Sequence, residues 1–344
     1  MKKIIGKCLM LALCFAMIGN VADAQAKKKR TVKKRTTAKK TTNSRTRANI
    51  SPAVASDTAI VIAPPPKIDS LPIPVVKKSL RPNDAIERNL VTERTPLAYE
   101  HLREDDAVYR QKVWREIDTR EKMNLPFRYS ANDNNGNQRF ISILFKAIQD
   151  GPDNGGVTVF NAVDDRFTTP MTIGEVAKVV SGGSVSVPIY DSLGNVTGTK
   201  ETVAEVNLDS FYKFHIKEEV IFDKESSRLF WRILGIAPVK NVITSQGIDL
   251  GETELFWVYY PDMRPIFAKY EVYNSKNYGA RMSWEELFES RMFYGRIIKS
   301  TLDNPFDQLL SQQLGLKDSR ILQLLEGENI KDKIFNYEQN LWSY

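Results

Sequence analysis

Proton transfer and metal ligation near neutral pH depend first on histidine, and this chain has two, His101 and His215. His215 falls on the opposite parity from Phe214 and Ile216, and His101 precedes a charged stretch, so both are expected at the surface or at a rim, not as a ligand pair. Carboxylates stand side by side at Asp105-Asp106, Asp164-Asp165, Glu218-Glu219 and Glu285-Glu286. Doublets this frequent are expected on solvated faces, and spacing alone selects no acid–base dyad among them. Gly136 sits where a calcium loop needs its glycine, but Ala131 and Ser142 occupy the positions of the first and last ligands, which argues against calcium. No GxGxxG, GxxxxGK[ST] or GxSxG pattern is present, and Gly151–Gly156 is a loop signal only. Both cysteines, Cys8 and Cys14, lie in the first 24 residues, so no thiolate chemistry is expected downstream. No catalytic residue, cofactor or metal is assigned. A hydrolase using acids near Glu218 or Glu121 stands as the enzymatic alternative.

The elements that would position these residues suggest an α+β fold, an antiparallel sheet with flanking helices. Pro96 opens an expected long helix in which Leu102, Tyr109, Val113 and Ile117 form a stripe, with Trp114 beside it, ending near Asn124 before Pro126. Asn132–Asn137 reads as a turn, and a second helix over Arg139–Asp150 stops at Gly151-Pro152. Thr172 and Glu175 make a capping box for a short helix to Val180, closed by Gly182-Gly183. Strands are expected at Val185–Tyr190, Val196–Thr199, Phe214–Phe222 and Leu229–Ile236. Leu255–Tyr260 is apolar on both parities and should be central and buried, whereas Ile266–Tyr273 fits strand or helix. Ser283 and Glu286 cap a helix whose Trp284, Leu287, Phe288 and Ile298 share a face with Arg291. Arg291 reads as a snorkelling or paired arginine, against a ligand-binding one. Beyond it, two short helices are expected, Asn304-Pro305 to Gly315 and Asp318 to Gly327, too short to stand without packing on the body or a neighbour.

Ahead of this body the chain changes character. Lys2, Lys3 and Lys7, an apolar run from Cys8 to Ile18 and Val21-Ala22-Asp23-Ala24 read as a signal peptide of residues 1–24, cleaved after Ala24. Leu13 before Cys14 argues against a lipid anchor. Residues 25–49 form a basic tail expected to be disordered, with eleven Lys or Arg and no acid between Ala26 and Arg47. The overall net charge of +7 hides this segregation: with that tail and the net +2 of the signal set aside, residues 48–344 carry −6. Residues 50–94 form a proline-rich extended arm with apolar beads, a spacer or a segment that orders on a partner. The beads Ile60, Ile62, Ile73 and Val75 are the candidate anchors. Residues 95–300 then form the globular core and 301–344 a helical extension.

Four segments stand out together: Trp114–Pro126, Trp231–Pro238, Glu254–Pro261 and Ser283–Phe288 with Arg291-Met292-Phe293. With them the chain resembles the GldN/PorN family of the gliding and type IX secretion machinery. The resemblance implies a non-enzymatic periplasmic subunit on the inner face of the outer membrane. It implies self-association in a ring with a GldK/PorK-like outer-membrane lipoprotein, and contact with the periplasmic part of a GldM/PorM-like inner-membrane protein. Within these segments Trp114, Asp118, Arg120, Glu121 and Arg291 are candidate interaction residues. Asp118, Arg120 and Glu121 serve either interface ion pairs or an intramolecular network. The alternative outside this family is an envelope-binding module gripping lipopolysaccharide or cell-wall glycan with the basic tail. Nucleic acid is not expected, since no aromatic residue interleaves the tail.

Overall fold

The computed structural model describes residues 70–81, 85, 94–133, 136–182, 184–190, 196–203, 206–243, 249–274 and 281–341. The signal segment, the basic tail and the beads Ile60 and Ile62 lie outside the described residues. The strands are β1 Ala107–Asp118, β2 Asn132–Asp133, β3 Gly136–Asn137, β4 Val159–Asn161, β5 Pro170–Met171, β6 Ser184–Tyr190 and β7 Val196–Val203. They continue with β8 Lys213–Asp223, β9 Arg228–Ile243, β10 Asp249–Glu254, β11 Phe256–Tyr259 and β12 Arg296–Ser300. The helices are α1 Phe140–Asp150, α2 Ile173–Ser181, α3 Tyr260–Phe267, α4 Trp284–Glu289 and α5 Arg320–Leu341. The expected α+β class holds: an antiparallel sheet in the order β12-β1-β8-β9-β11-β4-β5, with β10 paired to β9, carries flanking helices.

The strand one in from the β12 edge of the sheet, β1, is the stretch for which a helix was expected. Tyr109, Val113 and Ile117 recur every four residues, which is close to one helical turn and also two strand repeats. The polar Gln111 and Arg115 between them hide the alternation, and the segment is instead a twelve-residue strand running antiparallel to β8 from Ala107↔Asp223 to Asp118↔Lys213. Pro96 lies in extended chain ahead of it.

This register sorts the two faces. Val113, Arg115 and Ile117 share one face with Glu218, Ile216 and Phe214; Trp114, Glu116 and Asp118 share the other with Lys217, His215 and Lys213. The helices cover the first face. Phe140 and Phe145 of α1 and Trp284 and Phe288 of α4 join Ile117, Phe214 and Ile216 in the principal core. Its aromatic centre is tight, with Trp284 ring centroids 4.9 Å from both Phe127 and Phe140. Gly151 at φ 66 ends α1, and both expected capping boxes form, Thr172 with Glu175 and Ser283 with Glu286. Phe256, Trp257 and Val258 of β11 are fully buried between β9 and β4, as their double-sided apolarity required. The ambiguous Ile266–Tyr273 stretch divides between the end of α3 and a turn, with a bridge from Glu271 to Ser283.

The C-terminal region departs from expectation. Residues 301–319 are turns, and the second expected helix runs through Gly327 to Leu341 as the single helix α5. Gly327 does not stop it: a Cβ there would stand 3.0 Å from the Ile297 carbonyl oxygen, so glycine lets α5 approach β12. Ile330 and Ile334 then meet Val113, Val220 and Ile297, and Tyr337 stacks on Tyr109 at 4.0 Å. Ile298, expected on the α4 face, belongs to β12, because α4 ends at Glu289.

Phe140→Ala should lower unfolding free energy by about 3–5 kcal/mol in chemical denaturation, the usual cost of emptying a core aromatic site. Gly327→Leu should make α5 sensitive to limited proteolysis while the spectroscopic signature of the Trp284 core stays native.

Candidate functional site

On the sheet face opposite α1 and α4, the strands carry charge in rungs. One runs Arg296, Glu116, His215, Ala237 across β12, β1, β8 and β9; the next runs Asp118, Lys213, Val239, Glu254 from β1 to β10. The small Ala237, fully buried, lets Glu254 reach over β9 to His215. Above these rungs a groove of about 1100 Å³ opens, walled by Leu309, Leu310 and Leu324 and rimmed by Asp118, Arg120, Lys317 and Arg320.

His215 is held from both sides. Nδ1 lies 2.7 Å from Glu254 Oε1 and Nε2 lies 3.5 Å from Glu116 Oε2. Burial pulls the imidazole pKa down, but the hydrogen bonds and charges of Glu116 and Glu254 outweigh it and leave the value raised. Burial likewise pushes Glu116 upward, yet the bond to His215 and the Arg296 and Lys213 charges prevail and hold it at about 2. Arg296 bonds Glu116 directly, and Lys213 bridges Glu116 to Glu252. Beside this network Trp114 donates its indole N–H to Asp165 Oδ2 at 2.8 Å, and the Lys299 ammonium sits 4.3 Å from its ring centroid.

The helix-bearing face has its own charged node. Glu218 is fully buried and receives Arg115 Nε at 2.9 Å and Arg291 Nη2 at 2.9 Å. Both guanidinium groups also lie over the Trp231 ring, at 5.1 and 4.7 Å from its centroid. A third node fixes the chain entering the domain. Glu285 accepts the Leu97 N–H at 3.2 Å, and Arg264 donates to the Leu97 carbonyl and to Glu285. The Tyr99 ring lies between Arg264 and Arg232, and its hydroxyl donates to Glu289 at 2.5 Å. Burial first, then Glu289, raises the Tyr99 pKa.

These nodes revise several expectations. Glu218 and Glu285 are buried, not solvated, because each has an arginine to neutralise it. His215 is a clamped group under the groove, not a rim residue; its partners stand 99 positions before it and 39 after it, so nothing local announces them. The available signal was the charge on every odd position from Lys213 to Glu219. Arg291 is a paired arginine, as expected, but it follows α4 at φ 55 and lies off its face. Trp114 is buried within the fold. Asp118 and Arg120 pair with each other at 2.5 Å on the groove rim, Arg120 lying 4.3 Å from the Tyr212 centroid. Burial and then Asp118 raise the pKa of Glu121, which accepts a bond from Asn124 at 3.3 Å. In the arm, Ile73 packs against the principal core beside buried Leu71, whose N–H bonds Gln149 at 2.6 Å, while Val75 is 91% exposed. Among the described residues no histidine, cysteine or acid cluster is placed to hold a metal ion, and no helix is long and apolar enough to cross a membrane.

Two consequences are measurable. Glu218→Ala leaves two arginines facing an apolar seam and should cost about 3–5 kcal/mol in denaturant unfolding; Arg291→Ala, at the more exposed partner, should cost less. Because the folded pKa of Glu116 is depressed, its stabilisation is present above the ordinary carboxylate value near 4.5 and is lost as pH falls towards about 2. Glu116→Gln should therefore flatten the stability profile across that window, read as melting temperature against pH.

Comparison with curated proteins returns no match. The model of one protein family, described as gliding motility associated protein GldN, matches residues 102–343, from just before β1 to just past α5, including the charged residues of all three nodes but not Leu97 and Tyr99 of the third. The chain therefore belongs to the GldN family of gliding-motility-associated proteins.

Proposed function

We propose that this chain is a non-enzymatic structural subunit of the gliding and type IX secretion machinery. In this reading it works in the periplasm at the inner face of the outer membrane, closing into a ring with a GldK/PorK-like lipoprotein. It also meets the periplasmic part of a GldM/PorM-like inner-membrane protein. The observation that carries the reading is what the fold leaves uncovered. The buried acids Glu116, Glu218 and Glu285 are all neutralised by neighbours in the same chain. Glu218, bonded by Arg115 and Arg291, presents no exposed oxygen to a substrate.

Apolar surface, by contrast, is left in quantity along the C-terminal extension. Phe306, Leu314, Ile321 and Leu325 are each more than half exposed, although α5 already docks through Ile330 and Ile334. Exposed apolar strips of this kind mark contacts between proteins, and a closed ring requires two different, complementary patches on each subunit.

Wild-type mature chain mixed with its lipoprotein partner should form large closed particles in negative-stain microscopy. The pair Ile321→Asp with Leu325→Asp should abolish them without changing the circular dichroism spectrum, since each buried side chain contributes about 1.5–3 kcal/mol to a contact. A wild-type chain that stays monomeric beside that partner would overturn the proposal.

A further inference from the structure

The structure assigns His215 a further role, in which its imidazolium is a proton-controlled strap that fastens β10 to the sheet and so sets the wall of the groove. The argument begins with hydrogen counting. A neutral imidazole carries one N–H, yet both ring nitrogens here face carboxylates, Glu254 at 2.7 Å and Glu116 at 3.5 Å. Only the doubly protonated ring satisfies both.

The surrounding charges decide which side gives way when the proton leaves. From β1 and β12 come Glu116 and Arg296, and from β8 comes Lys213, so Glu116 keeps two cations whatever His215 does. From β10 come Glu252, which stays paired to Lys213, and Glu254. Adjacent β9 places Ala237 and Val239 in these rungs, without charge. From β11, Trp257 donates its indole N–H to Glu254 at 2.9 Å, and across the groove stand Lys317 and Arg320. Among the described residues His215 is the one cation paired to Glu254, so deprotonation removes its ion pair whichever nitrogen keeps a hydrogen. β10 is also an edge strand, since its ladder runs to β9 alone.

The sign follows from the geometry. A histidine stabilised as the cation in the fold contributes fully below the unfolded value of about 6.5 and is lost as pH rises through its folded pKa. Acid therefore fastens β10, and alkali releases it. This deepens the proposed scaffold role by giving the groove a regulator, but the strap itself is a property of the isolated chain.

The test uses that independence. In mature chain carrying His101→Gln, the remaining imidazole is followed by NMR as pH rises, and amide exchange of residues 249–254 is measured after correction for base catalysis. His215 should titrate above about 6.5, with exchange of β10 rising several-fold through the same transition. Glu254→Gln, which keeps the shape of the side chain, should lower the titration and remove the step. A His215 that titrates at or below the ordinary value, or a β10 whose exchange shows no step, would overturn the strap. Failure of ring assembly would leave either result unchanged.

Discussion

The fold depends on neutralising charge inside a sheet. Glu218 has no contact with water, and it lies at the seam where the principal core meets the smaller cluster under α5. A carboxylate in that position is tolerable only with cations in direct contact. One cation comes from the neighbouring strand and one from the chain just after α4, so the pairing couples β1, β8 and the α4 exit in one stroke. Trp231 beneath both guanidinium groups completes the arrangement, supplying the face of an electron-rich ring where water would otherwise be needed. The open face repeats the principle with Glu116 among Arg296, Lys213 and His215. β1 and β8 thus carry charged nodes on both sides, and their register is fixed twice, by apolar packing and by charge matching.

How far this was legible in the sequence depends on the range of each signal. Capping boxes at Thr172 and Ser283 are three-residue patterns, and both form. The buried character of β11 needs six consecutive residues, and it holds as well. β1 reads as a helix because a four-residue spacing belongs to both periodicities, and the residues that break the tie, Gln111 and Arg115, are polar. Arg115 is tolerated there through Glu218, 103 positions away. Gly327 misleads for a related reason: a glycine inside a helix looks like an end until the opposing backbone of Ile297 is known. The charged nodes lie beyond local reasoning, since each is assembled from segments distant in sequence. Family resemblance does better than spacing, because the segments that carry it include Arg115, Glu116, Trp231, Glu254, Glu285 and Arg291, all members of these nodes.

Such nodes change what a family pattern means here. Of the residues that look like interface candidates when viewed singly, Trp114 is buried and bonds Asp165, while Arg291 pairs with Glu218 and stays 30% exposed. Exposed apolar side chains remain along the C-terminal extension at Phe306, Leu314 and Ile321, and also at Val108 and Val163. Charge therefore organises the body of the described fold.

The docking of Leu71 and Ile73 into the core has a mechanical meaning for everything upstream. It fastens the chain at residues 71–73 to α1, so a load applied there passes directly into the principal core. That attachment rests on one leucine side chain and one glutamine amide.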